Sequence, residues 1–243
     1  MSGNFNFIIL ITFIHFHPSV FYCLQLRQLG VYTCIFNPPL EFRGFPNLED
    51  IFLKNVHFGG DLGRTVIDLP QLKRLTLEGC VNVNNLNIKA VKLWNFCVTT
   101  CPDAMLLPLI DGEQLKVVHI RLLKPIEDVQ WVERFNFDTM LSNLSNIVSF
   151  AIDGYFRYDA NIEDCLNQTL FMLRTVEITS LEGSKPELLF IKLLLDHSPR
   201  LENMIIGPTA TADAQKMLNI AKDVMLLTRA STKAKIVYMD PQP

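Results

Sequence analysis

The sequence predicts an α/β solenoid, with short parallel strands along a concave face and helices and turns along a convex one. Two observations predict it: one apolar phrase recurs at a nearly fixed interval, and proline-punctuated segments separate the copies. The copies are Leu26-x-x-Leu29-x-Val31, Leu48-x-x-Ile51-x-Leu53, Leu72-x-x-Leu75-x-Leu77, Leu93-x-x-Phe96-x-Val98 and Leu115-x-x-Val118-x-Ile120. Their first residues lie 22, 24, 21 and 22 positions apart. This is the pattern and period of a leucine-rich repeat. Looser copies follow at Ile147-x-x-Phe150-x-Ile152, Leu173-x-x-Val176-x-Ile178 and Leu201-x-x-Met204-x-Ile206. One such unit cannot bury its own apolar face, whereas stacked units can, and stacking leaves a long uniform surface suited to holding another protein.

Each phrase reads as a strand whose apolar residues point inward while the residue between the last two points outward. The connections carry Pro38-Pro39, Pro46, Pro70, Pro102 and Pro108. Ile147 lies 32 residues after Leu115, which leaves room for a helix over 137–144 with Met140, Leu141 and Leu144 at helical spacing. Ser184 and Glu187 form a capping-box start. Leu188, Ile191 and Leu195 give that helix one apolar face, and Pro199 stops it near His197 and Ser198. A strand over 201–206 follows. A second helix over about 212–228 buries Met217, Ile220, Ala221, Val224 and Leu227, and 235–239 is the last strand. This terminal unit closes the far end of the solenoid.

Hydrophobic residues make up 49% of the 243 and charged ones 19%, so the chain has ample core and is not disordered. A net charge of -3 supplies no basic footprint for nucleic acid. Six scattered cysteines are too sparse for a disulfide scaffold. Cys34 and Cys80 hold equivalent places, three residues past the last apolar residue of their phrases, and read as small interior thiols in the cytosol or nucleus. Cys97 and Cys101 lack a second ligand pair, so packed thiols are favoured over a metal site. The apolar run from Phe7 to Phe16 is too short for a membrane span and has no basic flank. It reads as a signal segment, as a cover for the open end of the first repeat, or as sequence from a wrongly assigned exon.

Leu26, Leu29, Val31 and Cys34, then Phe36, Pro38 and Pro39, then Phe42, Phe45, Pro46 and Leu48 resemble the repeats of plant F-box/leucine-rich-repeat proteins. Leu173-x-x-Val176-x-Ile178, Glu187 to Leu195, Ser198 to Ile206 and Arg229 to Tyr238 resemble the FBD domain of that family. The resemblance implies an N-terminal segment over 1–24, repeats over 25–165 and an α/β FBD cap over 166–240. Family members dock a Skp-type adaptor of a ubiquitin ligase through an F-box and select a protein substrate through the repeats and FBD. Residues 1–24 are too few for an F-box, so the recognition half is what carries over, without the adaptor.

No catalytic constellation is apparent. Gly59-Gly60, Gly63, Arg64 and Thr65 lack the phosphate-binding lysine and read as a tight turn. The histidines His15, His17, His57, His119 and His197 show no metal-ligand spacing, and no nucleophile elbow occurs. The expectation is therefore a non-enzyme with no cofactor and no metal. Asn143 and Asn167 match a glycosylation pattern that matters only for a secreted chain. An extracellular repeat protein is the alternative, with a truncated, non-functional product as another. Outward residues of the strands are the candidate contacts for a protein partner: Tyr32, Phe52, Lys54, Arg74, Glu78, His119 and Arg121. Thr99, Asp153 and Glu177 continue that row. Exposed aromatics and arginine are the residue types enriched at binding hot spots.

Overall fold

A computed structural model describes residues 6–9, 18–59, 66–83, 86–101, 114–121, 146–153 and 169–240. The chain divides into two compact units, Met1–Leu115 and Lys116–Pro243. In the first, β1 (Asn6–Ile9), β2 (Gln28–Phe36), β3 (Asp50–Phe58), β5 (Arg74–Glu78) and β7 (Asn95–Thr99) pair in that order, all parallel. Two short strands, β4 (Val66–Asp68) and β6 (Asn87–Lys89), make a second parallel pair. In the second unit, β8 (Val117–Arg121), β9 (Ser149–Asp153), β10 (Thr175–Leu181), β11 (Asn203–Pro208) and β12 (Lys235–Tyr238) pair likewise. Each unit is a stack of parallel repeat turns.

The phrases stack in register. Leu29 faces Ile51, Ile51 faces Leu75, and Leu75 faces Phe96. In the other unit Val118 faces Phe150, then Val176, then Met204, then Ile236. All three apolar residues of all eight phrases are buried, none more than 7% exposed. Burying one such side chain is worth roughly 1.5–3 kcal/mol, so the repeated column is the main source of cohesion. Phe21, Phe36 and Phe58 extend it with edge-on ring contacts at 5.5 and 5.8 Å.

A repeated backbone device sets the register. The carbonyl just before one strand accepts two successive N–H groups from the next turn: Arg27 from Glu49 and Asp50, Glu49 from Lys73 and Arg74, Lys73 from Trp94 and Asn95. The same pattern recurs at Lys116, Val148 and Arg174. Beyond the phrase, simple alternation would turn Cys34 outward. A left-handed residue intervenes at Thr33, Asn55, Gly79, Thr100 and Ser180, with φ between 50° and 60°. It acts as a bulge, and the next residue turns inward again. Cys34, Val56, Cys80, Cys101 and Leu181 are accordingly all buried. Gly79 holds this left-handed place without strain, whereas a Cβ there would meet Asn55 Oδ1 at 2.3 Å and force that side chain to swing aside.

Helices and turns are expected on the connecting side. In Met1–Leu115 the described connections instead carry a 3-10 turn (Pro18–Tyr22) and the short strands β4 and β6. The 21–24-residue period leaves little length between strands, and Pro38, Pro39, Pro46 and Pro70 remove helix donors. The expected helix over 137–144 lies outside the described residues, as do residues 60–65 of the glycine-rich turn. The Ser184 helix spans Lys185–His197 with its capping box formed: Ser184 N–H donates to Glu187 Oε2 at 2.6 Å, and Ser184 Oγ accepts from Glu187 N–H. It buries Phe190, Leu193 and Leu194 besides Ile191 and Leu195, a wider face than one stripe.

The second helix, Ala214–Met225, is shorter than expected because Asp213 caps it, accepting from the Lys216 N–H at 2.7 Å. Only Ile220 and Val224 are buried there; Met217, Ala221 and Leu227 are half-buried. Strand β11 begins at Asn203 rather than 201, because the Leu201 N–H closes a turn on the Ser198 carbonyl. At the other end β1 adds a strand that the phrase search misses, with Asn6 facing Gln28 and Ile9 facing Val31. Phe7 and Ile9 fill the second and third places of a phrase, but its first place is Asn4, a polar residue.

Two expectations follow. Leu75→Asp places a carboxylate in a column where leucine is 3% exposed and unfolds the Met1–Leu115 stack, while Thr76→Asp shifts stability by less than about 0.5 kcal/mol. Circular-dichroism melting of both variants checks this, and equal losses would reverse the inward–outward assignment. Thr33→Asn relieves a β-branched residue held at φ 50° and stabilises by about 1 kcal/mol, read as a raised denaturation midpoint in urea.

Candidate functional site

The outward side chains of β2, β3, β5 and β7 form three rows across the strands. The first is Gln28, Asp50, Arg74 and Asn95; the second Gly30, Phe52, Thr76 and Cys97; the third Tyr32, Lys54, Glu78 and Thr99. Parallel register brings residues of like position side by side at strand spacing, about 4.8 Å. The predicted residues Tyr32, Lys54 and Glu78 therefore share a row. Phe52 sits in the row beside it and Arg74 in the row beyond that.

Each outer row is tied by ionic contacts. Asp50 accepts from Gln28 Nε2 at 3.1 Å and from both Arg74 Nε and an Arg74 terminal nitrogen, the latter at 2.7 Å. Lys54 Nζ donates to Glu78 Oε1 at 2.6 Å. A further line flanks the first row, where Glu49 accepts from Arg27 at 3.2 Å and from Lys73 at 2.7 Å. These groups are partly exposed, so each pair is worth at most about 1 kcal/mol. Their effect lies in fixing long side chains on a rigid sheet. The Arg74 hydrogen bond holds the Asp50 carboxyl below its usual range, and the Lys73 hydrogen bond does the same for Glu49. Arg74 is raised in return by its bond to Asp50.

Phe52 lies in the row between these ladders, and Tyr32 in the Lys54–Glu78 row beside it. Tyr32 and Phe52 are half-buried with ring centroids 5.5 Å apart and planes inclined at 45°. In Lys116–Pro243, His119, Ala151 and Glu177 stand side by side across β8, β9 and β10. Arg121 lies 3.9 Å from Glu177. Burial pushes the His119 imidazole down, reinforced by Arg121 and opposed by Glu177. Asp153 pairs across to Thr179 on the same side.

Asp50, Gln28 and the Arg27, Glu49, Lys73 line are absent from the predicted set. A signal for them exists: written one beneath another, the phrases show Arg27, Glu49 and Lys73 as a column of alternating charge and Gln28, Asp50 and Arg74 as a polar one. Cys101 belongs with Cys34 and Cys80 in the buried column, since its sulfur accepts from the Cys80 N–H at 3.3 Å. Cys97 stands instead in the outward second row. Burial pushes the Cys34 thiol up to about 11, and the Cys80 sulfur beside it pushes Cys101 up as well. The five described cysteines are free. Cys165, Asn143 and Asn167 lie outside the described residues.

Among the described residues no group of three His, Cys, Asp or Glu is placed to hold a metal ion. None of their helices is long and apolar enough to cross a membrane. No family profile, curated protein or solved structure matches the chain.

The lowered Asp50 carboxyl has a pH signature. Its folded value lies below the unfolded one, so the stabilisation is present above about pH 4 and is lost as pH falls through the folded value. Asp50→Asn is less stable than wild type by about 0.5–1 kcal/mol near neutral pH. That difference closes in acid, as thermal melts across a pH series would record; a gap that persists there would assign the loss to packing.

Proposed function

We propose that the chain is a non-catalytic protein-recognition module, a leucine-rich-repeat solenoid resembling the substrate-selecting part of plant F-box ubiquitin-ligase receptors. In this reading 25–165 form the repeats and 166–240 an FBD-type cap, and the module works in the cytosol or nucleus without cofactor or metal. The observation that carries it is the strand face of Met1–Leu115, where in-register ladders hold an aromatic pair. Side chains already held by neighbours lose little entropy on binding, so the face is preorganised for a partner. The capped helix Lys185–His197 between β10 and β11 falls on the residues that carry the FBD resemblance and supports the second half of the reading.

The partner in this reading is a protein substrate. Arg121 and His119 on β8 are contacts of a second patch on the same kind of face. No nucleic acid and no membrane enter the reading, and positioning alone is the mechanism.

Crosslinking the tagged full chain in cells should recover a discrete protein whose yield falls about tenfold with the double variant Tyr32→Ala, Phe52→Ala. A connecting-side change at Leu40, which is 81% exposed, should leave the yield unaltered. Purified Skp-type adaptor should not be retained by the chain. Equal recovery from all three chains would contradict recognition through the strand face, and retention of the adaptor would restore the F-box role.

A further inference from the structure

The strand face of Met1–Leu115 is built so that its charges are spent on one another. Asp50 is held by Arg74, Glu78 by Lys54, and Glu49 by Arg27 and Lys73. Between the Asp50–Arg74 row and the Lys54–Glu78 row runs a row with no formal charge: Gly30, Phe52, Thr76 and Cys97. Four strands at about 4.8 Å spacing make this row about 14 Å long, the reach of four or five extended residues. Gly30 and Phe52 stand at one end, where the Tyr32 ring of the neighbouring row lies 5.5 Å from Phe52. Thr76 and the half-buried Cys97 thiol continue it with small, uncharged groups. We propose that this row is a neutral channel that seats an extended, uncharged peptide segment with one large apolar or aromatic side chain anchored on Phe52 and Tyr32. The inference rests on the protein-recognition reading and specifies the chemistry of the partner.

Charge complementarity decides the class of occupant. An acidic or basic segment in the channel would lie between rows whose charges are already paired. It would have to displace a paired partner, a small cost at these exposed sites, or give up its own hydration without a counter-charge, which is the larger cost. An apolar side chain meets no such penalty and gains ring contact at the aromatic pair. The paired rows therefore act against charged competitors as much as the rings act for the correct segment. Salt, which weakens steering between unpaired charges, should matter little here.

The test is selection of a displayed library of random linear peptides on the intact full-length chain, followed by calorimetry of the recovered sequences. Expected are peptides with no net charge around a single Leu, Met, Phe or Trp. Raising the salt from about 50 to 500 mM should change their Kd by less than about twofold. Phe52→Ala and Thr76→Asp should each weaken binding at least about tenfold while melting profiles remain cooperative. Thr76→Asp is the sharper variant, since it puts a charge in the channel without deleting a ring. Recovery of charged peptides with steep salt dependence, or of peptides indifferent to both variants, would overturn the neutral channel. Recognition through the separate strand face of Lys116–Pro243 would then survive if Arg121 or His119 variants removed the binding. A library that yields no binder at all would overturn the channel, while the cell-crosslinking result would still stand or fall by itself.

Discussion

The whole structure depends on the stacking of one apolar column on the next. Leu75 has no core of its own; it is buried because Ile51 lies on one side and Phe96 on the other. The same holds for each turn within a unit, so stability is a sum over neighbours rather than the property of a central nucleus. A fixed distance between phrases is the consequence. The spacing is kept within 21–24 residues from Leu26 to Leu115 and widens to 32 between Leu115 and Ile147.

From that constraint the outward face follows. Strands held in register by inward packing present their outward residues in register too. Identical positions then become neighbours, and a sequence that alternates charge at one position from turn to turn makes ladders. Glu49 with Arg27 and Lys73 is such a ladder, and Asp50 is held likewise by Arg74 and by the neutral amide of Gln28. They contribute little energy individually, yet they immobilise the side chains that surround Tyr32 and Phe52. The left-handed residue near the end of the phrase in β2, β3, β5, β7 and β10 has a related role. It costs conformational energy at Thr33 and Thr100, and in exchange lets Cys34 and Cys101 return to the interior.

Much of this was legible in the sequence. Every apolar position of the eight phrases is buried, because a two-residue alternation read against a fixed period leaves few alternatives. The helix Lys185–His197 was legible from Ser184, Glu187 and Pro199, residues whose effects are local. Less legible were features that arise from pairing between turns. The strand Asn6–Ile9 lacks the leading leucine, and its register with β2 is a long-range property. The short strands β4 and β6 have three residues each, too few for any periodicity. Nothing local marks Asp50 among the acids of the sequence; the register is what sets Gln28 and Arg74 on either side of it. The face itself was foreseen as a list of exposed residues, but its division into charged rows and a neutral one depends on register.

Methyl-labelled NMR addresses the stacking most directly. Through-space contacts should link the Leu75 methyls to those of Ile51, and the Leu77 methyls to both Leu53 and Val98, with the Ile120 methyls meeting those of Ile152 in the other unit. Leucine, isoleucine and valine methyls that met in this order would establish that each turn is covered by the next. Contacts displaced by one residue, or Leu75 methyls with no partner in the Ile51 turn, would contradict it.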